Sequence, residues 1–402
     1  MTAIRPAFLA LALAGAQSTP QCGSSSTTPT TPTPSTTTLN MQSVVVNSGP
    51  NNDYVNGLFT SVTVCVPGTS TCQTIGGILV DTGSSGLRVL SSALTINLPQ
   101  QSASDGSPIV ECAQFQDGFT WGPVRTADVK LAGEQASGVP MQAIGSPSFA
   151  TIPSGCSSSG GTAENSLDTL SANGILGVGL FRDDCGAACA SSGSSNPGFY
   201  YSCPSSGCRI IAQAPANQLQ NPVWMFASDN NGVMIQLPSV ASGGTTSLTG
   251  SLTFGIGTQS NNSLGSAKVF TTDAAGNFTT VLGGQSLGSS FIDSGSNGFF
   301  FLDSAATGLP LCRDTADFYC PSSSKAFSAT ARGANGTTAT INFSIDNADT
   351  LLRAVRFSVF GELGGPNAGN VDFGLPFFYG RTVFTAIEGQ STAGGNGPYW
   401  AY

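Results

Sequence analysis

The chain has 402 residues, enough for two modest domains with a hydrophobic core in each. It contains no histidine, which excludes Ser-His-Asp and Cys-His nucleophilic chemistry and every histidine-ligated metal site. Only 9% of residues are charged and the net charge is −9, which argues against nucleic acid or an anionic membrane as a partner.

Residues 1–16 carry one base, Arg5, ahead of an apolar run that ends in Ala14-Gly15-Ala16. This is the pattern of a secretory signal peptide, and the run is too short to cross a bilayer as a helix. Residues 17–40 are a Ser/Thr/Pro-rich tether, low in complexity and extended, with folded structure expected from about Asn40. Within the tether, Cys22-Gly23-Ser24-Ser25-Ser26 resembles the start of a mature bacterial lipoprotein, but Thr19-Pro20-Gln21 does not resemble a lipobox. Two routes stay open: cleavage after Ala16 and release, which is favoured, or a lipid anchor at Cys22, the one expected link to a membrane. The expected location is secreted, periplasmic or cell-surface.

Beyond the tether, apolar and polar residues alternate in short runs such as Phe59-Thr60-Ser61-Val62-Thr63-Val64 and Val233-Met234-Ile235-Gln236-Leu237. Such runs, bounded by Gly, Pro, Asn and Ser, predict strands. Helical turns are expected only near 166–171 and 214–220, so the class is mainly β. Ten cysteines follow the tether, and a secretory start predicts that they form disulfides. Cys65 and Cys72 flank a Pro-Gly turn and are expected to pair, as are Cys312 and Cys320. Cys185, Cys189, Cys203 and Cys208 form a cluster, with a nested pairing Cys185–Cys208 and Cys189–Cys203 expected. That leaves Cys112 for Cys156. Zinc is the rival for the cluster, and secretion without histidine favours disulfides over it. No metal or other cofactor is expected.

One pattern occurs twice. Val80-Asp81-Thr82-Gly83-Ser84-Ser85-Gly86 is matched by Ile292-Asp293-Ser294-Gly295-Ser296-Asn297-Gly298, and from the two aspartates onward seven of thirteen positions are identical without a gap. The repeat predicts two related lobes, 41–240 and 241–402, each presenting one carboxylate. Brought together, two carboxylates share a proton and activate water by acid–base chemistry.

These loops resemble the Asp-Thr-Gly and Asp-Ser-Gly active-site loops of pepsin-like aspartic peptidases. Asn173-Gly174-Ile175-Leu176-Gly177-Val178-Gly179 and Phe373-Gly374-Leu375-Pro376 resemble the segments that complete each lobe's ψ-shaped loop, and Gly250-Ser251-Leu252-Thr253-Phe254-Gly255 resembles the entry to the second lobe. The likeness covers about residues 43–390 and extends to secreted bacterial proteins of uncharacterised function that carry the same motif pair. It implies a bilobal fold of two β-barrel-like lobes with a cleft between them. It implies catalysis by Asp81 and Asp293. Thr82 and Ser294 would bond across the loops, Gly83 and Gly295 would allow close approach, and Ser84 and Ser296 would hold the outer carboxylate oxygens. Trp121 sits where the family has its flap tyrosine, and Arg88 stands where the family has the tryptophan that supports it; two readings stay open, a cation–π stack of Arg88 on Trp121 or two exposed and unrelated side chains. The flap hairpin after Trp121 looks shortened, and Asp372 stands where an apolar residue is expected. The function implied is a monomeric endopeptidase acting on peptide or protein. A binding or inhibitory protein of the same fold is the alternative, and a narrow processing peptidase is a third reading.

Overall fold

The computed structural model describes residues 40–402 apart from 159 and 355. The expected signal peptide at 1–16, the expected tether up to residue 39, and Cys22 lie outside the described residues. The two alternating runs fall in strands Gly57–Cys65 and Gly232–Leu237. Of the two helical turns expected, 166–171 contains the single turn Leu167–Leu170, whose first free amides are capped by the Ser166 hydroxyl. The other, 214–220, contains only the tighter turn Pro215–Asn217.

Each half builds the same crossed unit. In the first, the strand Cys72–Asp81 runs parallel to Gly174–Val178, which is antiparallel to Ser85–Leu90. In the second, Gln285–Ile292 runs parallel to Asn367–Phe373, which is antiparallel to Phe299–Leu302. The aspartates leave the C-terminal ends of the first strands. The chain can cross itself this tightly only beside glycine. A Cβ on Gly177 would lie 2.7 Å from the Ser85 carbonyl carbon, and one on Gly374 would lie 2.2 Å from the Gly298 carbonyl oxygen.

Six strands in the order Met41–Asn47, Leu248–Phe254, Gly232–Leu237, Arg381–Ala386, Tyr399–Ala401 and Val269–Thr271 join segments from both halves. The whole is mainly β and bilobal, with two barrel-like sheets and a cleft between them. The second lobe fills its core with phenylalanines: Phe299, Phe301, Phe327 and Phe343 stack or meet edge to face at 4.6–5.4 Å.

Cys65–Cys72, Cys112–Cys156 and Cys312–Cys320 are bonded as expected. The nested pairing is not found. Cys185 bonds Cys189 and Cys203 bonds Cys208. The reason is local. The helical turn Ala187–Ala190 brings the first pair to a Cα separation of 5.6 Å, and the turn at 204–207 brings the second to 4.0 Å. The strands on either side of that turn, Tyr200–Ser202 and Arg209–Ile210, form a ribbon that adds to the edge of Ile109–Gln114. Cleavage at Phe199 and Tyr201 without reduction should therefore release fragments in which Cys189 and Cys203 are separate. A disulfide-linked fragment pair would restore the nested arrangement.

Candidate active site

The two motif loops hold each other by paired hydroxyls. The Thr82 amide donates to Ser294 Oγ at 3.1 Å, and the Ser294 amide donates to Thr82 Oγ1 at 2.9 Å. Each hydroxyl then donates to a carbonyl at the end of the opposite strand, Ser294 Oγ to Val80 at 2.8 Å and Thr82 Oγ1 to Ile292 at 3.4 Å. All four groups are buried, so each bond replaces one that water no longer supplies. The motif's glycines permit the approach. A Cβ at Gly83 would lie 2.6 Å from Asp293 Cγ, and one at Gly295 would lie 2.7 Å from Asp81 Oδ1 and 3.1 Å from Asp293 Oδ1.

Asp81 and Asp293 are therefore brought together at the junction of the lobes. Asp81 accepts the Gly83 amide on Oδ1 at 2.8 Å and the Ser84 hydroxyl on Oδ2. Asp293 accepts the Gly295 amide on Oδ1 at 2.7 Å, and Ser296 Oγ lies 3.1 Å from its Oδ2. Burial pushes the Asp293 carboxyl well above the ordinary carboxylate range. The charges of Asp81 and Asp372 and a hydrogen bond with Asp81 push the same way. Neighbouring acids thus act together with burial to keep the proton on Asp293.

A cavity of about 180 Å³ opens beside the first loop, with Thr82, Gly83, Leu180, Phe181, Phe291 and Trp400 in its wall. Behind the loop lies a second charged group. Arg88 is 2% exposed, donates to Glu111 Oε1 at 2.6 Å and Asp184 Oδ2 at 3.1 Å, and bonds the Ser85 carbonyl at 2.9 Å. Tyr200 donates its hydroxyl to Asp184 and accepts the Leu219 amide at 2.7 Å. One cation thus faces two acids. Burial, then the charge of Glu111 and a hydrogen bond with it, raises Asp184 well above the ordinary range, against the pull of Arg88.

The flap expectation needs correction. Trp121 is buried in the strand Gly118–Leu131, meets Tyr201 edge to face at 5.2 Å and donates its indole N–H to the Phe149 carbonyl at 2.8 Å. Arg88 does not stack on it. The hairpin lies before Trp121, not after it: Ile109–Gln114 turns at 115–117 into Gly118–Leu131, with Cys112 opposite Trp121. The ring over which Arg88 sits, 5.8 Å from its centroid, is Phe115 at the hairpin's turn. Asp117-Gly118 is a hairpin signal that would have located that turn in the sequence. Asn56 is a second residue that sequence reasoning missed. Its side-chain amide donates to the Asn297 carbonyl at 2.7 Å and the Phe360 carbonyl at 2.9 Å, and its oxygen accepts from Phe360 N and Tyr379 Oη. It ties the first lobe to the loop that carries Asp293, and nothing in its local sequence marks it.

Residues 36–402 match the protein family described as Protein of unknown function (DUF3443). None of the curated proteins matches the chain. Among solved structures, the crystal structure of an aspartic proteinase from Irpex lacteus is similar over 90% of this chain and 96% of that one, with 14% identity and a TM-score of 0.53. At that identity the likeness speaks for the fold alone.

Two outcomes follow from the buried acids. Arg88→Met leaves Glu111 and Asp184 without their cation and should cost about 3–5 kcal/mol of stability, read from denaturant midpoints. In the wild type, Asp184 and Asp293 hold protons in the folded state that the unfolded chain releases near pH ~4. A raised acid contributes its full stability below that pH and loses it as pH rises through the folded value. Thermal midpoints should therefore fall as pH rises from about 4 toward 8, and a midpoint that rises over this range would contradict the assignment.

Proposed function

We propose that this chain, which belongs to the DUF3443 family, is a secreted aspartic endopeptidase that hydrolyses peptide bonds with a water activated by Asp81 and Asp293. The observation that supports this reading is the reciprocal hydroxyl bonding of Thr82 and Ser294, which joins the two motif loops, each with a carboxyl that has its own amide and serine. Two aspartates sharing one proton is the established pattern of aspartic proteases.

The roles divide by environment. Asp293 is raised, which favours its neutral form and suits it to the role of acid, and Asp81 takes the role of base. Asp81 takes a proton from water as the water oxygen bonds to the scissile carbonyl carbon. Asp293 gives its proton to the carbonyl oxygen as that oxygen gains charge. When the tetrahedral intermediate collapses, the C–N bond breaks, Asp81 passes its proton to the leaving nitrogen, and Asp293 recovers one from the gem-diol. The apolar wall of the neighbouring cavity, with Leu180, Phe181 and Phe291, favours an apolar side chain next to the bond that is cut. The signal-peptide pattern at 1–16 and the disulfides support secretion.

A second reading is a binding or inhibitory protein of the same fold that holds a peptide without cutting it. One observation favours it. The hairpin that would close over a substrate is held on three sides. The ribbon at 200–210 covers its edge strand, Cys112–Cys156 staples that strand, and Thr162–Ala163 pairs with Gly118 and Phe119. A lid so held has little freedom to open and close.

Cleavage of a denatured protein near pH ~4, blocked by pepstatin, separates the two. Asp81→Asn and Asp293→Asn should each lower the rate by about 10²–10⁴-fold or more, because an amide cannot exchange the proton the cycle needs. Ser84→Ala and Thr82→Ala should weaken activity without abolishing it. A wild type that binds pepstatin but cuts nothing at any pH would establish the binding reading. Activity that survives both Asn substitutions would remove the aspartic mechanism.

A further inference from the structure

The two serines of the site have different surroundings. Ser84 serves one carboxylate, Asp81. Ser296 stands between two: its Oγ lies 3.1 Å from Asp293 Oδ2 and 2.6 Å from Asp372 Oδ2. A hydroxyl carries one hydrogen and donates to one of them. The shorter contact is to Asp372, at the length of a charge-assisted O–H···O bond. Spent on Asp372, that hydrogen is withdrawn from Asp293 Oδ2, whereas Asp81 Oδ2 keeps the Ser84 hydroxyl as a donor. The contacts run from the Asp293 carboxyl to Ser296 Oγ, and from Ser296 to the Asp372 carboxyl.

Asp372 has no acidic counterpart in the first lobe. Gly177, in register with Asp81, is preceded two residues earlier by Ile175, and the equivalent Gly374 is preceded by Asp372. Asp372 is fully buried, with Phe291 and Phe300 opposite it on the flanking strands. Burying an acid costs free energy, more when it is charged than when it is neutral. The acids acting on Asp293 are Asp81, across the junction, and Asp372. Arg381, on the strand that follows this segment, is turned to the Phe377 carbonyl and ring.

We propose that Asp372 is a positioning residue of the site: through Ser296 it keeps the proton on Asp293 and carries the protonated form of that carboxyl toward neutral pH. Its kinetic consequence rests on the peptidase reading. The proton itself can be followed without turnover. Burial and the two neighbouring charges all act on Asp293 in the direction this requires.

The test is Asp372→Asn, which keeps the shape and a hydrogen-bonding group but removes the charge. The alkaline limb of the pH profile of kcat/KM should move about one unit toward acid, with the rate on the acid side changed less than about threefold. In a Ser296→Ala background the same substitution should give a smaller shift, because the relay is already broken. Independently of activity, the infrared band of the protonated carboxyl should persist to higher pH in the wild type than in Asp372→Asn, with Asp293→Asn identifying the band. Superimposable infrared titrations overturn the proposal even if the protein cuts peptides. If it cuts nothing, a displaced titration still supports the wiring of Asp372 to Asp293 while the peptidase reading fails. If Asp372→Asn does not fold, Asp372→Thr serves in its place: its band should move in the same direction, and an unmoved band overturns the proposal.

Discussion

Everything at the junction depends on four hydrogen bonds between Thr82 and Ser294 and their surroundings. A hydroxyl both donates and accepts, so each residue can take an amide from the opposite loop and return a bond to the opposite strand. No charged or purely donating side chain of that size does both. The bonds are buried, where an unmatched partner costs more than a matched one contributes. The junction therefore tolerates little slippage, and the carboxyls that follow the strands inherit its accuracy. Asn56 extends the same principle, with one side chain satisfying three backbone groups and one tyrosine across the lobes.

The hairpin shows a different solution from a freely hinged lid. Arg88 sits in a site from which water is excluded, and it draws two acidic partners from separate places: Glu111 from the hairpin strand and Asp184 from the cysteine-rich insert. The cation thus fastens hairpin, insert and the Ser85 carbonyl to one point. An ion pair of this kind adds little net stability over an apolar core, but it fixes a unique arrangement. The insert's disulfides close short local loops, so they constrain the insert itself and leave its docking on the hairpin to hydrogen bonds and packing.

Much of this was legible because it is local in the chain. The motif at 81–84 and its copy at 293–296 specify their own loops, and the glycines at 177 and 374 mark where the chain crosses itself. The Cys65–Cys72 pair follows from a turn within the sequence it encloses. What failed was information carried by distance or by turn position. Trp121 stands in the sequence where the family has its flap aromatic, yet the register of a hairpin is fixed by its turn, and Asp117-Gly118 puts that turn before Trp121. The contacts of Arg88 with Glu111 and Asp184 span 23 and 96 residues, and no local pattern encodes them. The nested cysteine pairing failed for the opposite reason: the neighbours in sequence were already close enough to bond.

Buried acids also connect stability with chemistry. The described fold places Asp293 and Asp184, in separate clusters, where burial is the largest force raising them and a neighbouring acid adds to it. In each cluster the favourable state holds a proton. The conditions that keep a proton at the junction of the lobes are thus the conditions in which the hairpin's anchor is most stable. With 13 lysines and arginines and no histidine, acidification adds few charges of like sign to oppose this, because the cations are already ionised at neutral pH. Lowering the pH instead discharges carboxylates, of which the chain has more. The composition that first excludes histidine chemistry therefore also permits a fold that favours acid, and the two clusters give that tendency a structural location.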